Sequence, residues 1–129
     1  MKNIILSLSV IAILAVASCG EITAQENNDN NAELLSPKDF KSKLAELKDY
    51  QLIDVRTPQE VSEGAIEGSI NIDFKSDDFK TKIAELDKTK PTLVYCAGGV
   101  RSAKAAEKMS KMGFVQIIDL KGGYSSWDD

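Results

Sequence analysis

The chain has no histidine, two cysteines, three prolines and one tryptophan among its 129 residues. Without histidine there is no Ser-His-Asp or Cys-His catalytic pair, and the commonest zinc ligand is missing. The two cysteines, Cys19 and Cys96, lie far apart. They supply neither a structural zinc site nor a Cys-x-x-Cys pair for disulfide reduction. No metal and no cofactor is implied. Basic residues form no block and the formal net charge is −4, which argues against a nucleic-acid surface. Any cysteine chemistry has to work without a histidine base.

Long hydrophobic runs are also few. The one at the amino terminus, from Ile4 to Ala17, follows Lys2 and is shorter than the roughly 20 residues that a spanning helix needs. Residues 1–18 therefore read as a secretory signal. The run closes on Val16-Ala17-Ser18-Cys19-Gly20, which resembles a bacterial lipobox. That resemblance implies cleavage before Cys19 and lipid attachment to it; a plain signal cleaved near Ala17 is the alternative. Glu21 to Asn31 is polar, with no apolar periodicity, so residues 19–31 read as a lipid-anchored flexible tether. The expectation is an exported domain in the bacterial cell envelope, facing the periplasm or the exterior, touching the membrane only through the lipid.

Residues 32–129 are enough for one domain. Ser36-Pro37-Lys38-Asp39 reads as a helix start, with Phe40, Leu44 and Leu47 on one face. Leu52 to Val55 reads as a strand, and Thr57-Pro58-Gln59-Glu60 as a capping box opening a short helix that Gly64 ends. Ser69 to Ile72 is a second strand. A third helix carries Phe79, Ile83 and Leu86 and is capped by Ser76 or Asp77. Thr92 to Tyr95 is a buried strand. Arg101 to Met112 is a helix with Ala103, Ala106 and Met109 on one face and Gly113 as its stop. Val115 to Ile118 is the last strand. This alternation predicts an α/β fold, a central parallel sheet with helices on both faces.

The buried strand ends at Cys96-Ala97-Gly98-Gly99-Val100-Arg101-Ser102. Delivering a cysteine from a strand onto a glycine loop at a helix start makes an anion cradle of backbone N–H groups. Such surroundings, with Arg101 beside them, favour a thiolate nucleophile. Cys96 is the candidate nucleophile, and the loop from Ala97 through Gly98, Gly99, Val100 and Arg101 to Ser102 is the candidate substrate cradle. A Cβ at Gly98 or Gly99 would obstruct close approach or a positive φ. Arg101 either meets a bound anion or steadies the loop by pairing with an acid. Arg56 reads as structural, paired with Glu60 or another nearby acid, and Asp54 as strand-end scaffold. Trp127, Phe114 and Tyr124 read as packing. The bland alternative for Cys96 is a buried, inert cysteine.

The pattern Cys96-x-x-Gly99-x-Arg101-Ser102 resembles the active-site loop of the rhodanese family of sulfurtransferases. Asp54-Val55-Arg56, the segment Glu63 to Ile72, and Leu120-Lys121-Gly122-Gly123 with Trp127 are similar to further family landmarks, in the same order. The resemblance implies a rhodanese-like fold and sulfur transfer through a Cys96 persulfide. The donor would be a small sulfur-containing anion such as thiosulfate, or a persulfide. The acceptor would be cyanide or a thiol, for which a thioredoxin-like protein is one candidate. Ala97 stands where many members carry a basic residue, which weakens the case for thiosulfate. Ala65 and Glu67 replace the usual histidine and proline of the neighbouring segment. A carrier, sensor or binding module without turnover is the alternative function. A phosphatase reading suits Cys-x4-Arg poorly, because that chemistry uses a loop one residue longer.

Overall fold

The structure, a computed structural model, describes residues 31–128. The expected signal, the tether up to residue 30, and Cys19 lie outside them. Five strands form one sheet: β1 (Ala32–Leu35), β2 (Gln51–Asp54), β3 (Ile70–Asn71), β4 (Thr92–Tyr95) and β5 (Ile117–Leu120), in the order β1-β5-β4-β2-β3. Every pairing is parallel. The helices between them are α1 (Pro37–Glu46), α2 (Pro58–Ser62), α3 (Phe79–Ala84) and α4 (Val100–Lys111), followed by a 3-10 turn, Tyr124–Ser126.

Side-chain alternation along the strands builds two cores, one on each sheet face. In β4, Leu93 and Tyr95 join Phe40, Leu52, Ile118 and Leu120 on the α1 face. Val94 and the following Cys96 join Ile83, Ala105, Met109 and Phe114 on the face covered by α3 and α4. A strand buried on both sides leaves no position facing solvent, which is why Thr92–Tyr95 shows no polar alternation. The sheet thus carries helices on both faces, as the alternation of elements predicts.

Local chemistry fixes the helix starts. The Ser36 hydroxyl accepts from the Asp39 amide ahead of Pro37. At α2 the capping box closes both ways: Glu60 N–H donates to Thr57 Oγ1 at 3.3 Å and Thr57 N–H to Glu60 Oε2 at 2.9 Å.

Four expectations need correcting. Strand β1 was not foreseen; it is a short edge strand, and the Asn31 amide before it donates to Ser110 Oγ near the end of α4. Strand β5 runs two residues later than Val115 to Ile118, because Val115 turns outward, 60% exposed, and Asp119 lies within the sheet. Helix α3 starts from Asp78, which makes no side-chain cap; Ser76 instead bonds the Asp78 carboxylate. The buried face of α4 is Ser102, Ala105, Ala106 and Met109, leaving Ala103 exposed.

Candidate active site

Ligands of open parallel sheets bind beyond the carboxyl ends of the strands. Cys96 sits at such an end, between β4 and α4. Gly99, the residue before α4, takes φ +104°, a conformation that glycine reaches without strain. That turn brings the Gly99 N–H to Cys96 Sγ at 3.1 Å. The first backbone bond of α4 runs from Ala103 N–H to the Gly99 carbonyl. The amides of Val100, Arg101 and Ser102 therefore form the open first turn, on the positive end of the helix dipole. Gly98 has no positive φ, and a Cβ there would meet nothing within 4 Å, so the need for glycine is confined to Gly99.

The loop is held from outside by the 3-10 turn. Tyr124 N–H donates to the Cys96 carbonyl at 2.7 Å and Ser125 N–H to the Ala97 carbonyl at 3.0 Å. In a planar trans peptide the N–H points opposite to the C=O. These two bonds therefore aim the Ala97 and Gly98 N–H groups away from the turn. Gly123 makes the approach possible: a Cβ on it would lie 2.5 Å from the Cys96 carbonyl oxygen and 2.6 Å from that of Ala97. The sequence marks Gly122-Gly123 only as a landmark and gives no hint of this buttress.

Cys96 is 1% exposed and, among the described residues, takes part in no disulfide. Its sulfur is thus recessed beneath the loop, with Sγ 3.5 Å from Ser102 Oγ, which itself donates to the Gly99 carbonyl at 3.2 Å. Beside the loop opens a cleft of about 340 Å³ lined by Arg56, Glu60, Glu63, Ala97, Tyr124 and Ser125.

Both arginines near this cleft are engaged. Arg101 Nη1 and Nη2 donate to Glu60 Oε2 and Oε1 at 2.9 and 2.8 Å. The pair holds the Glu60 carboxyl down at about 2, mainly through the hydrogen bonds from Arg101. Of its two expected roles, Arg101 adopts the loop-steadying one. Arg56 is 4% exposed and grips Asp54 through Nε and Nη2. It also donates to the Gly64 carbonyl at 2.7 Å and stacks 4.2 Å from the Tyr124 ring centre. Asp54, fully buried, partners Tyr95 in register and accepts the Arg56 amide as well. Arg56 and Asp54 form scaffold, with Asp54 rather than Glu60 as the main partner. Phe114 is buried in the α4-side core, and Trp127 packs edge-on to Phe40 at 6.0 Å.

Comparison with known proteins agrees with this architecture. The chain is 35% identical over 109 residues to the tRNA uridine(34) hydroxylase of Pelagibacter ubique, covering 84% of this chain and 35% of that protein. It is 42% identical over 77 residues to YqhL of Bacillus subtilis, 60% of each chain. It is 28% identical over 100 residues to a sulfurtransferase of Allochromatium vinosum, covering 78% of this chain and 87% of the relative. The chain thus spans well under the full length of the first two relatives. Among solved structures, a rhodanese-related protein from Thermoplasma volcanium superposes with a TM-score of 0.65 at 35% identity, over 74% of this chain and 89% of that one. The model of the rhodanese-like domain family matches residues 36–129, from the cap of α1 to the turn that buttresses Cys96, and the chain belongs to that family.

Proposed function

We propose that this protein is a sulfurtransferase that carries sulfane sulfur on Cys96, with a persulfide as its preferred donor. The observation that carries the reading is the Gly99 N–H on Cys96 Sγ at the open first turn of α4. The Cys96 thiolate attacks the outer sulfur of a donor R–S–SH. A new S–S bond forms to Cys96, the donor's S–S bond breaks, and R–S⁻ leaves. A thiolate acceptor then attacks the outer sulfur of Cys96–S–SH, takes it, and returns the Cys96 thiolate. This is covalent catalysis by double displacement. The loop amides from Ala97 to Ser102 stabilise the charge on the persulfide, and removing one such donor typically costs about 2.7–4 kcal/mol.

Donor preference follows from charge. Thiosulfate is a dianion, and the loop offers it no free cation: Ala97 is neutral, and Arg101 is bound by Glu60. The recessed sulfur needs a projecting outer sulfur, which both donors carry, so the charge decides between them. The relative named sulfurtransferase supports the general reaction. Export and lipid attachment at Cys19 belong to the same proposal and rest on the sequence.

The test is mass spectrometry of the full chain after exposure to glutathione persulfide and, separately, to thiosulfate, reading the peptide that contains Cys96. The expected result is one added sulfur, larger in yield from the persulfide, absent in Cys96→Ser, and removed by cyanide or a thiol. No adduct from either donor on folded, reduced protein would overturn sulfur transfer and favour a binding module.

A further inference from the structure

The charges around the cleft beside Cys96 can be matched one by one. Its walls come from residues 56–64, 96–102 and 122–126, which contain two cations, Arg56 and Arg101, and two acids, Glu60 and Glu63. Arg56 is neutralised by buried Asp54, whose Oδ2 lies 2.7 Å from its Nη2. Arg101 and Glu60 neutralise each other at 2.8 Å. Glu63 remains. It lines the cleft from the carboxyl end of α2, is exposed, and its carboxylate joins no hydrogen bond or ion pair among the described residues. The unmatched charge of the cleft is a single negative one.

The backbone that carries this charge is held in place. Glu63 N–H donates to the Glu60 carbonyl at 3.2 Å, and the next carbonyl, that of Gly64, accepts from Arg56 Nη2 at 2.7 Å. A Cβ on Gly64 would lie 2.7 Å from Tyr124 Oη, so the end of α2 is packed against the 3-10 turn that forms the other wall. At the inner end of the site, the Gly99 N–H and the open first turn of α4 favour negative charge on sulfur. The site therefore has two poles, one suited to an anionic sulfur and one to a cation.

We propose that Glu63 is a specificity-determining residue that selects thiols and persulfides bearing an ammonium group, the aminothiols, as the partners of Cys96. The inference rests on the sulfur-transfer reading and names the class of molecule that this reaction takes. An aminothiol sets its sulfur in the loop and its ammonium at Glu63, while Ala97 and the Tyr124 ring give its methylenes an apolar wall. A cleft of about 340 Å³ has room for a small molecule of this kind. As acceptor, the aminothiolate attacks the outer sulfur of Cys96–S–SH. An S–S bond forms to the acceptor, the bond from that sulfur to Cys96 breaks, and the electron pair returns to the Cys96 thiolate. The ammonium takes no part in the bond changes; its attraction to Glu63 holds the sulfur in line. A partner with a sulfonate or carboxylate in the same place is repelled.

The test labels Cys96 in the full chain with three methanethiosulfonates, aminoethyl, methyl and sulfonatoethyl, and follows the Cys96 peptide by mass. In each case the thiolate attacks the sulfenyl sulfur, a mixed disulfide forms and methanesulfinate leaves, so only the charge of the attached group differs. Glu63→Gln should lower the ratio of aminoethyl to sulfonatoethyl rates by about fivefold, the worth of one close charge in water. The methyl rate should not change, and molar salt should erase the difference. Glu33→Gln, which removes the same charge from edge strand β1, should leave the ratio alone. A ratio unaltered in Glu63→Gln, or lowered equally in Glu33→Gln, would overturn the proposal while leaving sulfur transfer standing, because no sulfur donor is used. Discharge of the Cys96 persulfide by cysteamine relative to mercaptopropionate should fall in Glu63→Gln in the same way, and an unchanged ratio there would also overturn it.

Discussion

Arg101 and Glu60 form a two-pronged ion pair that ties the first turn of α4 to the first turn of α2. The same Glu60 oxygen that meets Arg101 Nη1 also accepts the Thr57 amide. One carboxylate therefore caps a helix and withholds a cation from the cleft beside Cys96.

Releasing that cation should change donor choice. Glu60→Gln keeps the capping geometry but loses the ion pair, freeing Arg101 for an anion. Use of thiosulfate relative to persulfide should rise about tenfold, near the worth of one charge-assisted hydrogen bond. The check is kcat/KM with each donor; an unchanged ratio would mean that Arg101 does not govern it. Because the Glu60 carboxyl is lowered to about 2, the stability it lends is present above about pH 4.5 and lost as pH falls through 2. The variant should lack that acid limb.

Asp119 should act on stability with the opposite sign. Its carboxyl is raised from 3.8 to about 6 in the folded chain. Between those values the native state holds the proton more tightly, so stability falls as pH rises through the window. Asp119→Asn should therefore be the more stable protein above pH 6, by up to about 3 kcal/mol, and no more stable below pH 4. Denaturant melts at the two pH values decide this.

Gly123→Ala should disturb the loop without touching the sulfur. The added Cβ meets backbone carbonyls, not a yielding side chain, and φ is +62°. Strain of about 1–3 kcal/mol is expected, with sulfur uptake by Cys96 slowed at least about tenfold. Normal uptake at normal melting temperature would show that the loop holds its shape unaided.

Tyr95→Phe tests the opposite face of the sheet. The Tyr95 hydroxyl accepts from the Ile66 amide and donates to Ser69 Oγ, both at 3.0 Å. Burial pushes this phenol up to about 12, so it keeps its proton throughout the working range. Removing it leaves a buried N–H unpaired, at a cost of about 1–3 kcal/mol. A thermal melt should fall by about 4–8 °C per kcal/mol lost.

What the sequence makes legible is local. The capping box at Thr57 and Glu60, the proline start of α1 and the run Thr92 to Tyr95 are written in neighbouring residues, and the structure has each in place. Strand β1 is not, because Ala-Glu-Leu-Leu gains its meaning only by pairing with β5 at the far end of the chain. The partner of Arg101 is hidden for the same reason: nothing adjacent marks Glu60 among the other acids. Asp119 escapes notice because a strand reading that stops at Ile118 drops it, and a lone acid after an apolar run looks like a turn. The elements follow from short-range pattern. The electrostatics of the site come from contacts that only the fold creates.

The buttress under the loop also sets an order of assembly. Cys96 and its helix are synthesised before Gly123, Tyr124 and Ser125, whose amides and close approach fix the loop carbonyls. During synthesis the thiol therefore exists for a time on a loop that lacks its support. A chain interrupted after β5 would carry the cysteine without the bonds that fix the loop carbonyls, an ordinary thiol in place of a cradled one.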